Sequence, residues 1–253
     1  MMLNSTEITK EIVTSRKFNI INKNLNKESF SNISIYDAYQ VQQNVISNLG
    51  LVVSGWKLGG TNSKTRELFN TNELYWGPIF NGCIMTKAQD IKLHCGEIEI
   101  ALKLNKNIQS IDSKVYPNDL SKYIDSVALA IEYPQSFISN ISEFGVQALI
   151  SDCCGSGQCL ISREMPFLEF INGSMIDIKV NSITIEKCST DFLIGGLHQV
   201  ACDFINNSIQ LGFKLNSGQW LFTGGLSECR VYDKNSRVKI SGDNVPCLEF
   251  YTG

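Results

Sequence analysis

The most regular alternation in the chain runs from Glu97 to Leu104. Glu97, Glu99, Ala101 and Lys103 occupy the odd positions and Ile98, Ile100, Leu102 and Leu104 the even ones. A period of two with β-branched residues predicts a strand. Elsewhere the apolar positions recur with helical spacing. Ile8, Ile12 and Val13 predict a helix over 7–16. Ala38, Val41, Val45 and Leu49 predict a second over 34–46, capped by Ser34 with Asp37 three residues on and stopped by Gly50. A strand over 51–61 breaks into glycines. A polar helical segment follows over 63–69, then a turn at Tyr75-Trp76-Gly77-Pro78. A short helix over 118–123 precedes a buried strand over 126–134. The run 148–161 reads as strand, turn and strand, and 176–186 as a hairpin turning at Asn181-Ser182. A helix over 194–211 leads to strands at 219–225, 231–240 and 246–251.

Three positions in this pattern carry chemistry. On a strand, residues two apart share a face, so Glu97 and Glu99 project side by side. Two such carboxylates repel unless a cation lies between them, and oxygen ligands suit a hard divalent ion such as Mg²⁺. The alternative is a solvated strand edge carrying two acids. Lys57, set between Gly55 and Gly59, is either a site cation that the backbone can bring close to a ligand or a surface lysine. Glu132 closes an apolar run, where a charge is costly unless it is paired, metal-bound or emerging into solvent.

Composition narrows the class. The chain has 253 residues, 43% of them hydrophobic and 19% charged, with a formal net charge of -3. It is therefore expected to be globular, without the basic footprint of a nucleic-acid or membrane-surface binder. No apolar run approaches the roughly 18 residues of a membrane span. Residues 1–16 lack the apolar core of a secretory signal, so a cytoplasmic location is expected. Nine cysteines without a CxxC pair read as reduced thiols rather than a zinc ribbon. Cys153-Cys154 has no histidine nearby in sequence and reads as packing. His94 and His198 are the two histidines.

The ordered set of motifs resembles a known family. It comprises Asp37-Ala38-Tyr39-Gln40-Val41-Gln42, Gly55-Trp56-Lys57-Leu58-Gly59-Gly60-Thr61, Glu97-Ile98-Glu99-Ile100-Ala101, Ala130-Ile131-Glu132, Asp152 opening a small-residue turn, and Leu215 to Gly224. This is similar to the 2-keto-4-pentenoate hydratase and 4-oxalocrotonate decarboxylase branch of the fumarylacetoacetate hydrolase superfamily, over nearly the whole chain from about Ile35 onward. The resemblance implies an α+β fold, with a small N-terminal helical region (1–50) and a β-rich fumarylacetoacetase-like roll (51–253). It implies Mg²⁺ or Mn²⁺ held by Glu97, Glu99 and Glu132, a catalytic Lys57, substrate contacts from Gly59, Thr61, Thr223 and Gly224, and a homo-oligomer. The chain departs from the family pattern in four places. Tyr75 replaces an acid, Asp152-Cys153-Cys154-Gly155 replaces Asp-Asn-Ala-Ser, Tyr133-Pro134-Gln135-Ser136-Phe137 follows Glu132, and Asn62 replaces a serine.

The resemblance implies a metal-dependent hydratase or decarboxylase acting on a 2-oxo or 2-hydroxy-dienoic acid through a metal-stabilised enolate. Lys57 would neutralise charge or relay a proton beside the bound oxygens. Two alternatives stay open at this point: an enzyme of specialised metabolism with an altered substrate, and a non-catalytic partner subunit of a hydratase–decarboxylase complex.

Overall fold

The computed structural model describes residues 4–87 and 95–253. Two helices open the chain, α1 (Ser5–Phe18) and α2 (Ile35–Leu49). Asn4 caps α1 in a capping box with Glu7 that sequence patterning missed. Ser34 and Asp37 form the expected box on α2, and Gly50 ends it in the left-handed conformation (φ 64°). The Asp37–Gln42 motif now has a physical reason. Tyr39 stacks on Trp76 with ring centroids 4.4 Å apart. Gln42, fully buried, donates from Nε2 to the carbonyls of Trp76 and Ile150, each at 2.9 Å. The buried faces of α1 and α2 share an apolar cluster with Phe80, Ile138, Ala148 and Cys153.

The main sheet takes its strands from distant parts of the chain. They are β1 (Val53–Gly59), β2 (Tyr75–Phe80), β3 (Ile84–Met85), β4 (Cys95–Leu104), β5 (Ile124–Tyr133), β6 (Gln158–Ile161), β7 (Met165–Pro166), β10 (Trp220–Phe222) and β11 (Arg230–Val231). The path is β2-β1-β10-β4-β5-β6-β3, with β11 on β4 and β7 on β5. β1 lies parallel to β10 and β3 to β6; the other neighbours are antiparallel. Between them lie α3 (Ser63–Leu68), α4 (Val146–Ser151) and α5 (Gly196–Gln210). A second sheet, in the order β13-β12-β8-β9, is built from β8 (Met175–Val180), β9 (Ile183–Ser189), β12 (Arg237–Gly242) and β13 (Val245–Tyr251). The Asn181-Ser182 hairpin turn is present, with both residues at positive φ. Among the described residues no helix is long and apolar enough to cross a membrane.

Three expectations are corrected. Tyr75 to Pro78 is not a turn but the start of β2, fully buried along its length. Aromatic residues make good strand formers, and Pro78 is accommodated although its strand pairs with β1. Ala148 to Ser151 is helical rather than a strand, because a short apolar run buried on all sides carries no periodicity to separate the two. The single strand expected over 231–240 is broken after Val231 by a turn in which Asn235 adopts φ 59°.

Candidate metal centre

β4 and β5 pair antiparallel with Glu97 directly opposite Glu132. Glu99 lies two residues along β4, so three carboxylates converge, one ligand oxygen from each within 4.8 Å of the others. Glu99 and Glu132 are wholly buried and Glu97 is partly exposed. Lys57, from β1, sends its ammonium to Glu132 Oε1 at 2.6 Å. β10 and β4 lie between β1 and β5, a separation of about 14 Å in a flat sheet. Contact across that span requires the sheet to curl around the face carrying the acids. Lys57 is therefore a buried cation, not an edge-strand surface lysine, and Glu132 does not emerge into solvent.

The carboxylates are short of partners. Glu99 Oε2 accepts the Gly224 N–H at 3.0 Å. Glu99 Oε1 and Glu132 Oε2 are buried and accept from no group. Burial, then Glu132, pushes the Glu97 carboxyl up to about 7, with Lys57 acting in the opposite sense. Burial and the two neighbouring acids raise Glu99 as well. Burial alone would lower the Lys57 ammonium; Glu132 and Glu97 outweigh it and hold Lys57 protonated. Three acids against one ammonium, with two orphaned oxygens between them, fit a divalent cation, whose charge and oxygen preference supply what is missing.

The segment after β10 forms one wall of the centre. Gly224 sits at φ 87°, and a Cβ there would lie 2.1 Å from Thr61 Oγ1. A Cβ on Gly225 would lie 2.3 Å from Glu97 Oε2. Only glycine lets this backbone close onto the acids. Asn62 caps α3 by accepting the Thr65 N–H at 2.9 Å and donates to the Gly225 carbonyl at 2.9 Å, so the asparagine in place of serine both starts the helix and pins the wall.

A cavity of about 240 Å³ opens beside the acids. Of the residues singled out from the sequence, Lys57, Gly59, Thr61 and Glu97 line it. Thr61 Oγ1 is buried and unpartnered. Thr223 and Gly224 do not line this cavity. The Thr223 hydroxyl donates to the Ile100 carbonyl at 3.0 Å and accepts the Ile100 N–H at 3.3 Å, so it clamps β10 to β4. Gly224 acts through Glu99. Sequence reading missed Leu68, Phe69, Ile141, Leu149, Gly225 and Cys229, which line the cavity from separate segments. Tyr75 lines it too, its buried ring lying against Gly59. Cys153 is fully buried, in keeping with a packing role, while Cys154, nearly as buried, lines the cavity. His198 packs against the Phe167 ring and is not in the wall; His94 lies outside the described residues.

The curled mixed sheet with its helices is an α+β fold shared with solved proteins of the fumarylacetoacetate hydrolase family. The chain superposes on the 4-oxalocrotonate decarboxylase from Pseudomonas putida G7, complexed with magnesium and adipate, with a TM-score of 0.84 at 15% identity, covering 100% of this chain and 99% of that one. The same enzyme complexed with calcium and acetate gives 0.82 at 14% identity over 100% and 99%. A fumarylpyruvate hydrolase from Pseudomonas aeruginosa, in complex with Mn²⁺ and pyruvate, gives 0.55 at 11% identity over 78% of this chain and 88% of that one. No protein-family model and no curated protein sequence matches the chain.

Proposed function

We propose that this protein is a divalent-metal-dependent lyase, a hydratase or decarboxylase, acting on a 2-oxo or 2-hydroxy-dienoic acid. The observation that carries this reading is the pair of orphaned carboxylate oxygens, Glu99 Oε1 and Glu132 Oε2, beside Glu97 at the edge of a cavity. Glu97, Glu99 and Glu132 would hold Mg²⁺ or Mn²⁺. The bound ion would supply Lewis acidity, drawing the oxygens of a 2-oxo acid into the site and stabilising negative charge that develops on them.

The remaining roles fall to the chain itself. Without the ion, Glu132 and Glu97 hold Lys57 protonated, and in the site it would supply a positive charge beside the bound oxygens. An ammonium placed beside an enolate oxygen stabilises it most as its charge grows. Thr61 Oγ1 offers a buried donor for the substrate's polar head. Gly224 holds Glu99 in place through its N–H. Leu68, Phe69, Ile141 and Leu149 give the rest of the cavity an apolar wall, and Lys57 is the one cationic side chain among its described lining residues. This environment excludes water from the reacting end and suits an acid with an apolar remainder. Hydrolysis, which would call on a histidine–acid pair to activate water, has no histidine in the described wall.

The test is turnover of 2-hydroxypenta-2,4-dienoate and of 4-oxalocrotonate with added Mg²⁺ or Mn²⁺. The reading predicts metal-dependent disappearance of at least one, abolished by chelator. Metal binding without turnover of either would shift the reading to an altered substrate, and no metal binding would leave the non-catalytic partner.

A further inference from the structure

The segment Thr223 to Val231 runs back along β4 over the acids. Leu226 donates its N–H to the Ile98 carbonyl at 2.7 Å, Ser227 Oγ accepts the Ile98 N–H at 2.9 Å, and Arg230 pairs with Gly96. The far end of this strap brings Cys229 Sγ to 3.2 Å from Cys95 Sγ. Cys95 opens β4 two residues before Glu97, so its side chain shares the face that carries the acids. Cys229 is exposed and lines the cavity, and Cys95 is half-exposed. By contrast Cys153, Cys154, Cys159, Cys188 and Cys202 are buried. The proposed chemistry uses neither thiol.

We propose that Cys95 and Cys229 form an oxidisable dithiol site that reacts with hydroperoxides to give a reversible disulfide, stapling the strap to β4. In the first step the exposed Cys229 sulfur attacks the peroxide. The O–O bond breaks, the sulfur takes one peroxide oxygen as the hydroxyl of a sulfenic acid, and the other oxygen leaves with the thiol proton as water, or as an alcohol from an organic peroxide. In the second, Cys95 attacks the sulfenic sulfur, the S–S bond forms and the hydroxyl departs as water with the Cys95 proton. The two thiols are oxidised by two electrons and the peroxide is reduced by two. Closing the bond from 3.2 Å to about 2 Å asks for about an ångström of movement at the short strand β11. The cross-link spans 134 residues of chain, a long loop whose closure constrains the unfolded state strongly. A thiol reductant reverses it.

The experiment treats the whole protein with hydrogen peroxide, followed by peptide mapping under non-reducing conditions and thermal melting. The expected result is a Cys95–Cys229 cross-linked peptide, the loss of two titratable thiols, and a Tm raised by about 5 °C or more that dithiothreitol returns to its starting value. Cys95→Ser should give no cross-link and no rise in Tm, with Cys229 trapped as a sulfenic acid by dimedone. Oxidation of either thiol beyond the sulfenic state without pairing, pairing with a different cysteine, or a cross-link that leaves Tm unchanged would overturn the proposal. None of these outcomes depends on turnover or on a bound metal.

Discussion

Among the described residues two ion pairs are buried, and they are built to different standards. Arg16 and Asp152 are nearly inaccessible, and every charged atom of the carboxylate is used. Asp152 Oδ1 accepts from Arg16 Nε at 3.1 Å and lies 3.0 Å from Nη2. Oδ2 accepts from Ser136 Oγ at 2.7 Å and from the Phe137 N–H at 2.8 Å. Arg16 also donates to the Asp152 carbonyl and stacks over the Phe137 ring. Lys57 and Glu132 are as deeply buried, yet Glu132 Oε2 accepts nothing, and two more acids crowd the same corner. A closed pair fixes α1 to the turn after α4. An open one has capacity for a ligand. Buried charge alone does not mark a functional site; buried charge with unused acceptors does.

Removing the cation from each pair should separate the two roles. Lys57→Met keeps the volume of the stem and deletes the charge. With Mg²⁺ present it should fold and bind the ion while turnover drops by about two to four powers of ten, the span of a lost charge-stabilising group. Steady-state kinetics on the substrate that proves active checks this, and wild-type turnover would return Lys57 to a structural role. Arg16→Met should act on stability instead. Asp152 would be left buried without its cation, costing about 3–5 kcal/mol in urea unfolding with the metal site unchanged. A loss below about 1 kcal/mol would mean that the Ser136 and Phe137 hydrogen bonds satisfy Asp152 without the arginine.

The smallest effect is a pH dependence from the acids crowded beside the open pair. The Glu97 carboxyl is raised in the folded state, so between its unfolded value and about 7 the folded chain binds more protons than the unfolded one. Stability of chelator-treated protein must then fall as pH rises through that window. Melting curves from about pH 5 to about pH 8 should drift downward by a few degrees. Saturating Mg²⁺ should reverse the drift, since ionised carboxylates bind it best. Glu97→Gln should lessen the slope and leave the part that the raised Glu99 carboxyl contributes, and an unchanged slope in that variant would place the titrating group elsewhere.

The two pairs also show what sequence can and cannot reveal. Glu97 and Glu99 were legible because strand alternation is local, and Lys57 because glycines flank it. The α+β class came with the family resemblance, whereas α2 and β4 themselves were legible from periodicities that hold over ten or more residues. The pairing of Lys57 with Glu132 depends on strand order across 75 residues, and that of Arg16 with Asp152 on packing across 136. No spacing rule reaches so far. Thr223 stood in the right motif, yet its hydroxyl is spent on Ile100, a matter of side-chain direction rather than position. Ala148 to Ser151 and Tyr75 to Pro78 were misread because burial on every side erases the polar beat that separates helix, strand and turn.

The central claim is that the three glutamates hold one divalent ion, and titration calorimetry with Mg²⁺ on wild type and on Glu97→Gln with Glu99→Gln tests it most directly. The structure predicts one ion per chain in wild type, tightened by oxalate as a mimic of the 2-oxo acid head, and no measurable binding in the double variant, which should retain its fold by circular dichroism. Wild-type affinity in the double variant, or no binding to the wild-type protein, would contradict it.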